Sequence, residues 1–352
     1  MAPGGGSWVK EDPESEIINV KGLELWFHQD DGVVKALNGV DFHLKQGESI
    51  GIGGESGCGK TVTASALMGL IQSGGRIVGG EILLRRKDGG VIDLAKLPRN
   101  GRDMQEIRKR EMSMIFQEPS ASLSPLHSIG HQISEALPDA VRKNRNTARD
   151  NCIELLRKVG IPEPEQRVDE YSFRLSGGMC QRAMIAQALA KNPRILIADE
   201  PTTSLDVTVQ AQVLQLMDSL RRTLNLSLIL ITHNMGVLAH MVERIYIMYL
   251  GKVVEEGPTE VIFNNPKHPY TRGLIKCVPK LATDREADLE SIAGTVPSGY
   301  SLPDGCAFHP RCVEAIHGRC SSETPQMIQV GAKHRVACLL YGREGEDSWT
   351  VH

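Results

Sequence analysis

The chain has 352 residues, 41% of them hydrophobic and 24% charged, and its formal net charge is -3. A chain of this length suits two domains and can bury a sizeable core without disulfide staples. Because it has no excess of basic residues, nucleic acid is not expected as a partner, and no apolar run approaches the roughly 18 residues of a membrane span.

The N-terminal residues 1–16 precede the first predicted element. They contain no apolar core of the kind that a secretory signal needs, and they are expected to form a disordered tail. A protein without such a signal is expected in the cytoplasm, where glutathione keeps thiols reduced. Disulfide bonds are therefore not expected among the eight cysteines.

From residue 17 to residue 263, strand-like and helix-like segments alternate along the chain. The predicted strands are residues 48–54, 111–117, 194–200 and 226–233, and the predicted helices include residues 61–71, 151–160 and 207–224. The last two strands are continuous apolar runs, which are typical of strands covered on both faces of a largely parallel sheet. The pattern predicts an α/β domain over 17–263, with a helical subdomain at about 103–185.

The stretch GESGCGKT fits the phosphate-binding pattern G-x-x-x-x-G-K-[ST], and it follows a strand and opens a helix. Its glycines allow backbone N–H groups to surround phosphate oxygens at the helix N-terminus. Lys60 is expected to reach the β- and γ-phosphates, and the hydroxyl of Thr61 is expected to coordinate Mg²⁺. Cys58 is interpreted as a residue that fills the loop. The predicted loop residues are Gly54, Glu55, Ser56, Gly57, Cys58, Gly59, Lys60 and Thr61.

The stretch RILIADEP supplies a second part of a nucleotide site. Its apolar residues form a buried strand that ends in Asp199 and Glu200. Asp199 is expected to hold Mg²⁺ through water, and Glu200 is expected to polarise the attacking water as a general base. A strand ending in Asp-Glu is weak support for catalysis by itself, but it becomes strong downstream of a phosphate loop.

The stretch LSGGMCQR, residues 175–182, lies between these two motifs and precedes another helix. Together with them, it resembles the ATP-binding subunits of ABC transporters, and the matching motifs extend from Phe27 to His233. The resemblance implies a P-loop NTPase fold of the ABC type. It also implies roles for Phe27 (stacking on adenine), Gln117 (Q-loop, Mg²⁺ and attacking water), Ser176, Gly177 and Gly178 (signature), Asp206 (D-loop) and His233 (γ-phosphate).

A Ser-Gly-Gly turn at a helix N-terminus is a second anion cradle, and one chain does not need two cradles for one triphosphate. The resemblance implies that Ser176 and Gly178 close over the ATP held by a partner subunit, so that hydrolysis requires a dimer. Met179 and Asn234 stand where many members of the family carry Gln and Asp. Neither departure removes a phosphate donor or the base, so a hydrolysis-competent site is expected.

After about residue 264 the sequence becomes rich in Pro and Cys and loses its periodicity, which predicts a separate small extension over 264–352. Its opening residues, His268–Thr271, and the stretches at 115–133 and 199–214 resemble dipeptide and oligopeptide permease ATPases. The resemblance implies a second ATP-binding subunit, most simply a paralogue, as partner. It also implies two membrane permease subunits, an extracytoplasmic peptide-binding protein acting indirectly, and a peripheral position on the cytoplasmic face of the membrane.

Four cysteines of the extension are spaced C-x5-C-x7-C-x17-C: Cys306, Cys312, Cys320 and Cys338. The spacing is that of neither a zinc ribbon nor a bacterial ferredoxin. Four thiolates on a Pro-rich segment suit a metal centre that helps the segment to fold. Resemblance to the peptide permeases implies a [4Fe–4S] cluster, with zinc or free thiols as alternatives. The remaining cysteines are interpreted as packing or loop residues.

The sequence therefore predicts an ATPase that binds ATP and Mg²⁺ and powers the import of dipeptides or oligopeptides. ATP binding would close a dimer of two such subunits, and hydrolysis would reopen it. Two alternatives stay open at this point. One is an importer of nickel or another metal chelate in the same family, and the other is a soluble ABC ATPase with no role in transport.

Overall fold

A computed structural model of the chain describes residues 16–203, 205–277 and 292–341. The predicted disordered tail, residues 1–16, lies outside the described residues except for Glu16, which begins the first strand. The predicted extension is described in two parts, and these include the four cysteines of the C-x5-C-x7-C-x17-C pattern. The fold has two sheets, and the helices pack mainly around the larger one.

The twelve strands of the described residues are β1 Glu16–Gln29, β2 Gly32–Lys45, β3 Ser49–Gly53, β4 Gly75–Arg85, β5 Val91–Asp93, β6 Met112–Ile115, β7 Ile195–Asp199, β8 Ser227–Thr232, β9 Arg244–Tyr249, β10 Lys252–Pro258, β11 Ile328–Gly331 and β12 His334–Val336. The α-helices of the described residues are α1 Lys60–Leu67, α2 Arg102–Arg110, α3 Pro119–Ser122, α4 Ile129–Ala136, α5 Asp139–Arg142, α6 Arg145–Lys158, α7 Pro164–Arg167, α8 Gly177–Ala190, α9 Val207–Leu224, α10 Met235–Met241, α11 Thr259–Asn264 and α12 Pro269–Lys276. Across the three described ranges, no helix has the length and apolar character that crossing a bilayer requires.

The larger sheet has the strand order β11-β12-β10-β9-β3-β8-β7-β6. The strands from β9 to β6 run parallel, and β10 pairs antiparallel with both β9 and β12. Every residue of β7 and β8 is buried, because helices or the second sheet cover both faces. The continuous apolar runs at these two strands therefore predicted their environment correctly. Strand β7 ends at Asp199, and the carboxyl end of β3 is followed directly by the phosphate loop.

The smaller sheet is antiparallel, with the strand order β2-β1-β4-β5. Its inner face shares one apolar core with α1 and with one face of the larger sheet; this core includes Leu25, Leu37, Ile50, Leu67 and Ile197. The helix that follows the phosphate loop is thus held between two sheets. That packing fixes the direction in which the N-terminus of α1 points.

Helices α4, α6 and α8 form a second core on the other face of the larger sheet, around Ile133, Leu156, Ile185 and Leu230. Helices α4 and α6 lie within the range 103–185 for which a helical subdomain is predicted, and α8 extends beyond it to Ala190. In the same range, the strand predicted at 111–117 is present as β6, which is an edge strand of the larger sheet and pairs with β7. All four residues of β6 are buried.

The C-terminal extension continues the larger sheet, which differs from the prediction of a separate unit. Strand β12 pairs with β10 in the register Glu255–Val336, and β11 pairs with β12. The buried rings of Tyr270 and Phe308 pack on Tyr249 of the core, with centroid distances of 4.8 and 5.2 Å. Strands of four and three residues leave almost no periodicity in a sequence, so the pattern did not reveal them.

A buried carboxylate joins the extension to the core. Glu255 on β10 is fully buried and accepts hydrogen bonds from the backbone N–H groups of Lys267 (2.6 Å) and His268 (2.9 Å). Its Oε1 also lies 2.7 Å from Nε2 of His334 on β12. Burial alone would raise the pKa of Glu255, but these hydrogen bonds hold it below its ordinary value. One ionised side chain therefore contacts both the first residues of the extension and its strand β12.

We expect acid to weaken the fold through His268. This residue is buried, its Nδ1 accepts from the N–H of Tyr270, and burial lowers its pKa from 6.5 to about 4. The unfolded chain binds a proton below pH 6.5 and the folded chain does not until about pH 4. The stability that depends on a neutral His268 should therefore be fully present above pH 6.5. Between pH 6.5 and pH 4, the free energy of unfolding should fall by about 3 kcal/mol.

The measurement is urea unfolding at a series of pH values for the wild type and His268→Asn. Asparagine keeps a side-chain acceptor at the helix N-cap but does not titrate. The variant should lose less stability than the wild type between pH 6.5 and pH 4. Parallel pH profiles for the two proteins would contradict the assignment of this acid sensitivity to His268.

Candidate active site

A cavity of about 420 Å³ opens between the smaller sheet, the phosphate loop and the carboxyl ends of the parallel strands. The sequence-predicted residues that line it are Phe27, Ser56, Gly57, Gly59, Lys60, Thr61, Gln117 and Glu200. Asp199 and His233 contact these residues through hydrogen bonds, to Thr61 and Glu200 respectively. The fold thus brings together residues that lie as far apart in sequence as Phe27 and His233.

The phosphate loop is shaped by glycines that other residues could not replace. Gly59, the N-cap of α1, has a φ of 104°, and a Cβ at this position would lie 2.7 Å from the carbonyl oxygen of Ala36. Gly54, with a φ of 147°, lies against the carbonyl oxygen of Met248. Because both positions combine a positive φ with a close approach to backbone, glycine is required there for the loop to lead into the N-terminus of α1.

Lys60 is the buried cation of the loop. Its side chain is directed across the loop, and Nζ donates to the carbonyl oxygens of Gly54 (2.8 Å) and Glu55 (2.9 Å). The neighbouring thiol of Cys58 is buried, and burial raises its pKa. A protonated, buried thiol is suited to filling space rather than to reacting.

Asp199 and Thr61 form a pair of oxygen groups beside Lys60. The hydroxyl of Thr61 donates to Oδ1 of Asp199 over 3.2 Å. Burial, together with the neighbouring charge of Glu200, raises the pKa of Asp199 to about 6. A buried carboxylate and a hydroxyl at a strand end are a donor set that suits Mg²⁺, which prefers oxygen ligands and would stabilise the ionised carboxylate.

Glu200 lies at the centre of a group of hydrogen bonds. Its Oε1 lies 2.9 Å from Nδ1 of His233, and its Oε2 accepts from the hydroxyl of Thr203 (2.7 Å) and from Nε2 of Gln117 (3.5 Å). Burial alone would raise the pKa of Glu200, but the contacts with His233 and Thr203 lower it below its ordinary value. The carboxylate is therefore ionised at neutral pH, as a general base must be.

The backbone of Glu200 is also unusual, because its φ of 46° places a non-glycine residue in the left-handed region. Such a conformation costs of order 1–3 kcal/mol and persists only where its surroundings enforce it. Here the N–H of Glu200 donates to the carbonyl oxygen of Ile231 over 2.8 Å. The turn directs the side chain towards Gln117 and His233, while Asp199 faces Thr61.

Two adjacent aromatic residues, Trp26 and Phe27, both lie near the entrance of the site on β1. Phe27 lines the cavity, whereas the ring of Trp26 packs under the ammonium of Lys35, 5.0 Å from the ring centroid. Alternation of side chains along a strand accounts for the difference. Phe27 is therefore the aromatic residue available to a ligand in this cavity.

The predicted signature residues lie elsewhere on the surface. Ser176 caps α8 by accepting from the N–H of Met179 (3.3 Å), and Asp206 caps α9 by accepting from the N–H of Val209 (3.0 Å). Gly178 is packed so closely that a Cβ would lie 2.7 Å from Val209. All of these residues are described, yet none lines the cavity of the same chain. They lie at the N-termini of two neighbouring helices, α8 and α9.

The C-terminal extension contributes to the site, which sequence reasoning did not anticipate. Gly299 and Leu302 line the cavity opposite the phosphate loop, and Lys35 donates its N–H to the carbonyl oxygen of Gly299. The hydroxyl of Tyr270 accepts from the N–H of Glu55 over 2.8 Å. The HPYT motif singled out Tyr270, but no pattern in the sequence marks residues 299 and 302.

The four cysteines of the predicted metal centre are reduced, two buried and two half-buried: Cys306, Cys312, Cys320 and Cys338. Burial, together with the neighbouring thiols of Cys306, Cys312 and Cys320, raises the pKa of Cys338 to about 12. In the part of the chain that the structure describes, no group of three or more His, Cys, Asp or Glu residues is placed to hold a metal ion. The predicted metal centre is thus not seen in this arrangement of the thiols.

Comparison with known proteins identifies two regions of the chain. Residues 37–203 match the family "ABC transporter", and residues 254–320 match "Oligopeptide/dipeptide transporter, C-terminal region". The chain is 44% identical over 335 residues to the oligopeptide transport ATP-binding protein AppD of Bacillus subtilis, covering 95% of this chain and 99% of the relative. It is 41% identical over 330 residues to the dipeptide transport ATP-binding protein DppD of Escherichia coli, covering 92% and 96%.

The fold is similar to that of solved ATP-binding cassettes. The dimeric post-hydrolysis structure of the cassette MJ0796, bound to ADP and Pi, matches with a TM-score of 0.59 and 26% identity, covering 69% of this chain and 98% of that one. The phosphate loop, the Asp-Glu strand and the signature helix all fall within the matched ABC transporter region. The chain therefore belongs to the ATP-binding subunits of ABC transporters, in the branch that carries the oligopeptide/dipeptide transporter C-terminal region.

Proposed function

We propose that this ATPase powers the import of dipeptides or oligopeptides. The observation that carries the proposal is the similarity along nearly the whole chain to proteins named as oligopeptide and dipeptide transport ATP-binding proteins. The extension supports it as well, because residues 254–320 match the C-terminal region of that transporter family. The chain would act at the cytoplasmic face of the membrane, bound to two permease subunits and supplied by an extracytoplasmic peptide-binding protein.

We propose the following roles at the nucleotide site. The backbone N–H groups of Ser56, Gly57 and Gly59, which line the cavity, and the ammonium of Lys60 would bind the phosphates, while Phe27 would stack on adenine. Thr61, Asp199 and Gln117 would hold Mg²⁺, which neutralises charge that develops on the phosphates. Supporting this assignment, the oxygens of Thr61 and Asp199 are already within 3.2 Å of each other.

Glu200 is proposed as the general base that accepts a proton from the attacking water. His233 and Thr203 keep this carboxylate ionised and oriented, and Gln117 lies within reach of the same oxygen atoms. His233 would in addition contact the γ-phosphate.

Hydrolysis is proposed to require two ATP-binding subunits, because Ser176, Gly177, Gly178 and Asp206 lie away from the cavity of their own chain. In a dimer, the N-terminus of α8 would close over the triphosphate bound to the partner, and the helix dipole would favour that negative charge. The cassette found dimeric with ADP and Pi supports this proposal by analogy. We propose a paralogous subunit as the partner.

Uptake of a labelled tripeptide by cells that lack this chain tests the proposed function. The wild-type chain should restore uptake, and Glu200→Gln should not, although it is made in equal amounts. Uptake of labelled nickel, measured in the same cells, distinguishes a metal importer from a peptide importer. Restored nickel uptake without peptide uptake would contradict the proposed cargo.

We propose further that the four cysteines of the extension bind a [4Fe–4S] cluster, with zinc as the alternative. Their thiols influence one another electrostatically, and thiolates are the ligands that both iron–sulfur clusters and zinc accept. Binding would require the thiols to deprotonate and to move from the arrangement described above, since metal binding and local folding are coupled. The centre would be structural or regulatory, because ATP hydrolysis includes no redox step.

Metal analysis of anaerobically purified protein checks this proposal. We expect about four iron atoms and four acid-labile sulfides per chain, with a visible absorption band, and we expect Cys306→Ser or Cys320→Ser to remove them. Cys277→Ser is the matched control, because this cysteine lies outside the proposed set. One zinc ion per chain would support the alternative, and a protein free of metal would contradict both.

A further inference from the structure

An arginine of the extension reaches the phosphate loop. The side chain of Arg311 is only 4% exposed, and its two terminal nitrogens contact the two carboxylate oxygens of Glu55 at 2.7 and 3.0 Å. Its Nε donates to the carbonyl oxygen of Ala293 over 3.0 Å. Two parallel charge-assisted hydrogen bonds of this kind are among the strongest that side chains make. The guanidinium is thus held by the extension and directed at one loop residue.

Glu55 connects this contact to the residues that face phosphate. Its carbonyl oxygen accepts from Nζ of Lys60 (2.9 Å), and its N–H donates to the hydroxyl of Tyr270 (2.8 Å). The loop residue is therefore fixed by the extension through both its side chain and its backbone. Glu55 directly precedes Ser56, which lines the cavity, so a carboxylate there without a counter-charge would oppose the binding of a negatively charged triphosphate.

We propose that Arg311 is a positioning residue for ATP binding, which neutralises Glu55 and holds the phosphate loop in its binding geometry. The proposal rests on the proposed function of this loop as the site of ATP. The attraction between Arg311 and Glu55 is strong because both groups are largely shielded from water. Without the arginine, the carboxylate of Glu55 would repel the phosphates. Its carbonyl oxygen could then also move away from Nζ of Lys60, which donates to it.

Arg311 directly precedes Cys312 in the sequence, and the N–H of Arg311 donates to the carbonyl oxygen of Phe308. The position of the guanidinium therefore depends on the local fold of the cysteine-containing segment. It follows that a change in that segment can reach the nucleotide site through the guanidinium of Arg311. The extension would thus set the affinity of the cassette for ATP.

The test compares the dissociation constant for ATP among variants of the full chain, measured by displacement of a fluorescent nucleotide. Arg311→Met should weaken ATP binding about tenfold, since one uncompensated charge acts on the phosphates. The double variant Arg311→Met/Glu55→Gln should bind within about twofold of the wild type, because the repelling carboxylate is gone. A role limited to holding the fold together would not be rescued by removing Glu55.

Arg335→Met is the matched control. Arg335 also joins the extension to the core, through an ion pair with Glu256 at 2.9 Å, but it does not contact the phosphate loop. We expect the Arg335→Met variant to bind ATP with the same affinity as the wild type. If Arg311→Met does not fold, Arg311→Lys decides the question: it keeps a charge but loses the paired contact, and it should weaken ATP binding about threefold, a loss that Glu55→Gln removes.

Unchanged ATP affinity in Arg311→Met, or a double variant as weak as the single one, would overturn the proposal. Failure of the proposed function gives a different result, because the wild type itself would then not bind ATP. The Michaelis constant and turnover number of the same proteins add an independent readout. We expect the Michaelis constant for ATP to rise in Arg311→Met while the turnover number at saturating ATP changes little.

Discussion

ATP turnover is expected to fall by about 100- to 10,000-fold when Glu200 is replaced by glutamine, which is the range that a general base contributes. Glutamine has the same shape and can still accept a hydrogen bond at its oxygen, but it cannot take a proton from water. The ionised state of Glu200, maintained by His233 and Thr203, is the property that the variant removes. ATP binding should stay intact, because Glu200 is not part of the phosphate loop.

Phosphate release by the purified chain, together with its dissociation constant for ATP, measures both parts of this prediction. Glu154→Gln is the control, since Glu154 lies on the surface of α6, where it pairs with Arg157, and it does not line the cavity. Its turnover should match that of the wild type. Steady-state hydrolysis by Glu200→Gln at the wild-type rate would show that another group accepts the proton.

The largest loss of stability is expected from Glu255→Ala. This change leaves the N–H groups of Lys267 and His268 and the ring of His334 without their shared acceptor inside the protein. Breaking a buried pair of this kind typically costs about 3–5 kcal/mol, because the remaining polar groups stay buried and unsatisfied. We expect the extension to separate from β10 before the rest of the chain unfolds.

Urea unfolding and limited proteolysis together check this prediction. Glu260→Ala is a matched control on the neighbouring helix α11, because Glu260 is exposed to solvent; it should change the free energy of unfolding by less than about 0.5 kcal/mol. Cleavage in the variant should begin within the extension. If Glu255→Ala and Glu260→Ala were equally stable, the carboxylate would not be the link between the extension and the core.

Local motifs allowed much of the nucleotide site to be predicted. The residues from Gly54 to Thr61 are consecutive, and Asp199 and Glu200 end an apolar strand, so each group can be recognised within a short window. The parallel strands β7 and β8 could be predicted for the same reason, because their apolar runs are continuous. The structure places these groups in one cavity, while their catalytic roles remain predictions for the variants above to test.

Contacts between distant segments could not be predicted in this way. The pairing of Arg311 with Glu55 joins residues that are 256 positions apart, and neither lies in a pattern that indicates the other. Strand β12 has three residues, too few to show alternation. Glu255 lies in a strand in which most neighbours are apolar. Its burial as a carboxylate is explained by the hydrogen bonds that it makes with His268 and His334, which are distant in sequence. Such features depend on tertiary packing, which a single sequence does not display.

The pairing of β10 with β12 also has a consequence during synthesis on the ribosome. Strand β10 emerges well before its partner, so the nascent chain presents an open strand edge, with free N–H and C=O groups, until the last part of the extension has been translated. Open edges of this kind recruit strands from other molecules. Chains cut short by a nonsense codon ahead of His334 should therefore be targets for chaperones and for aggregation, even though every residue of the phosphate loop is present.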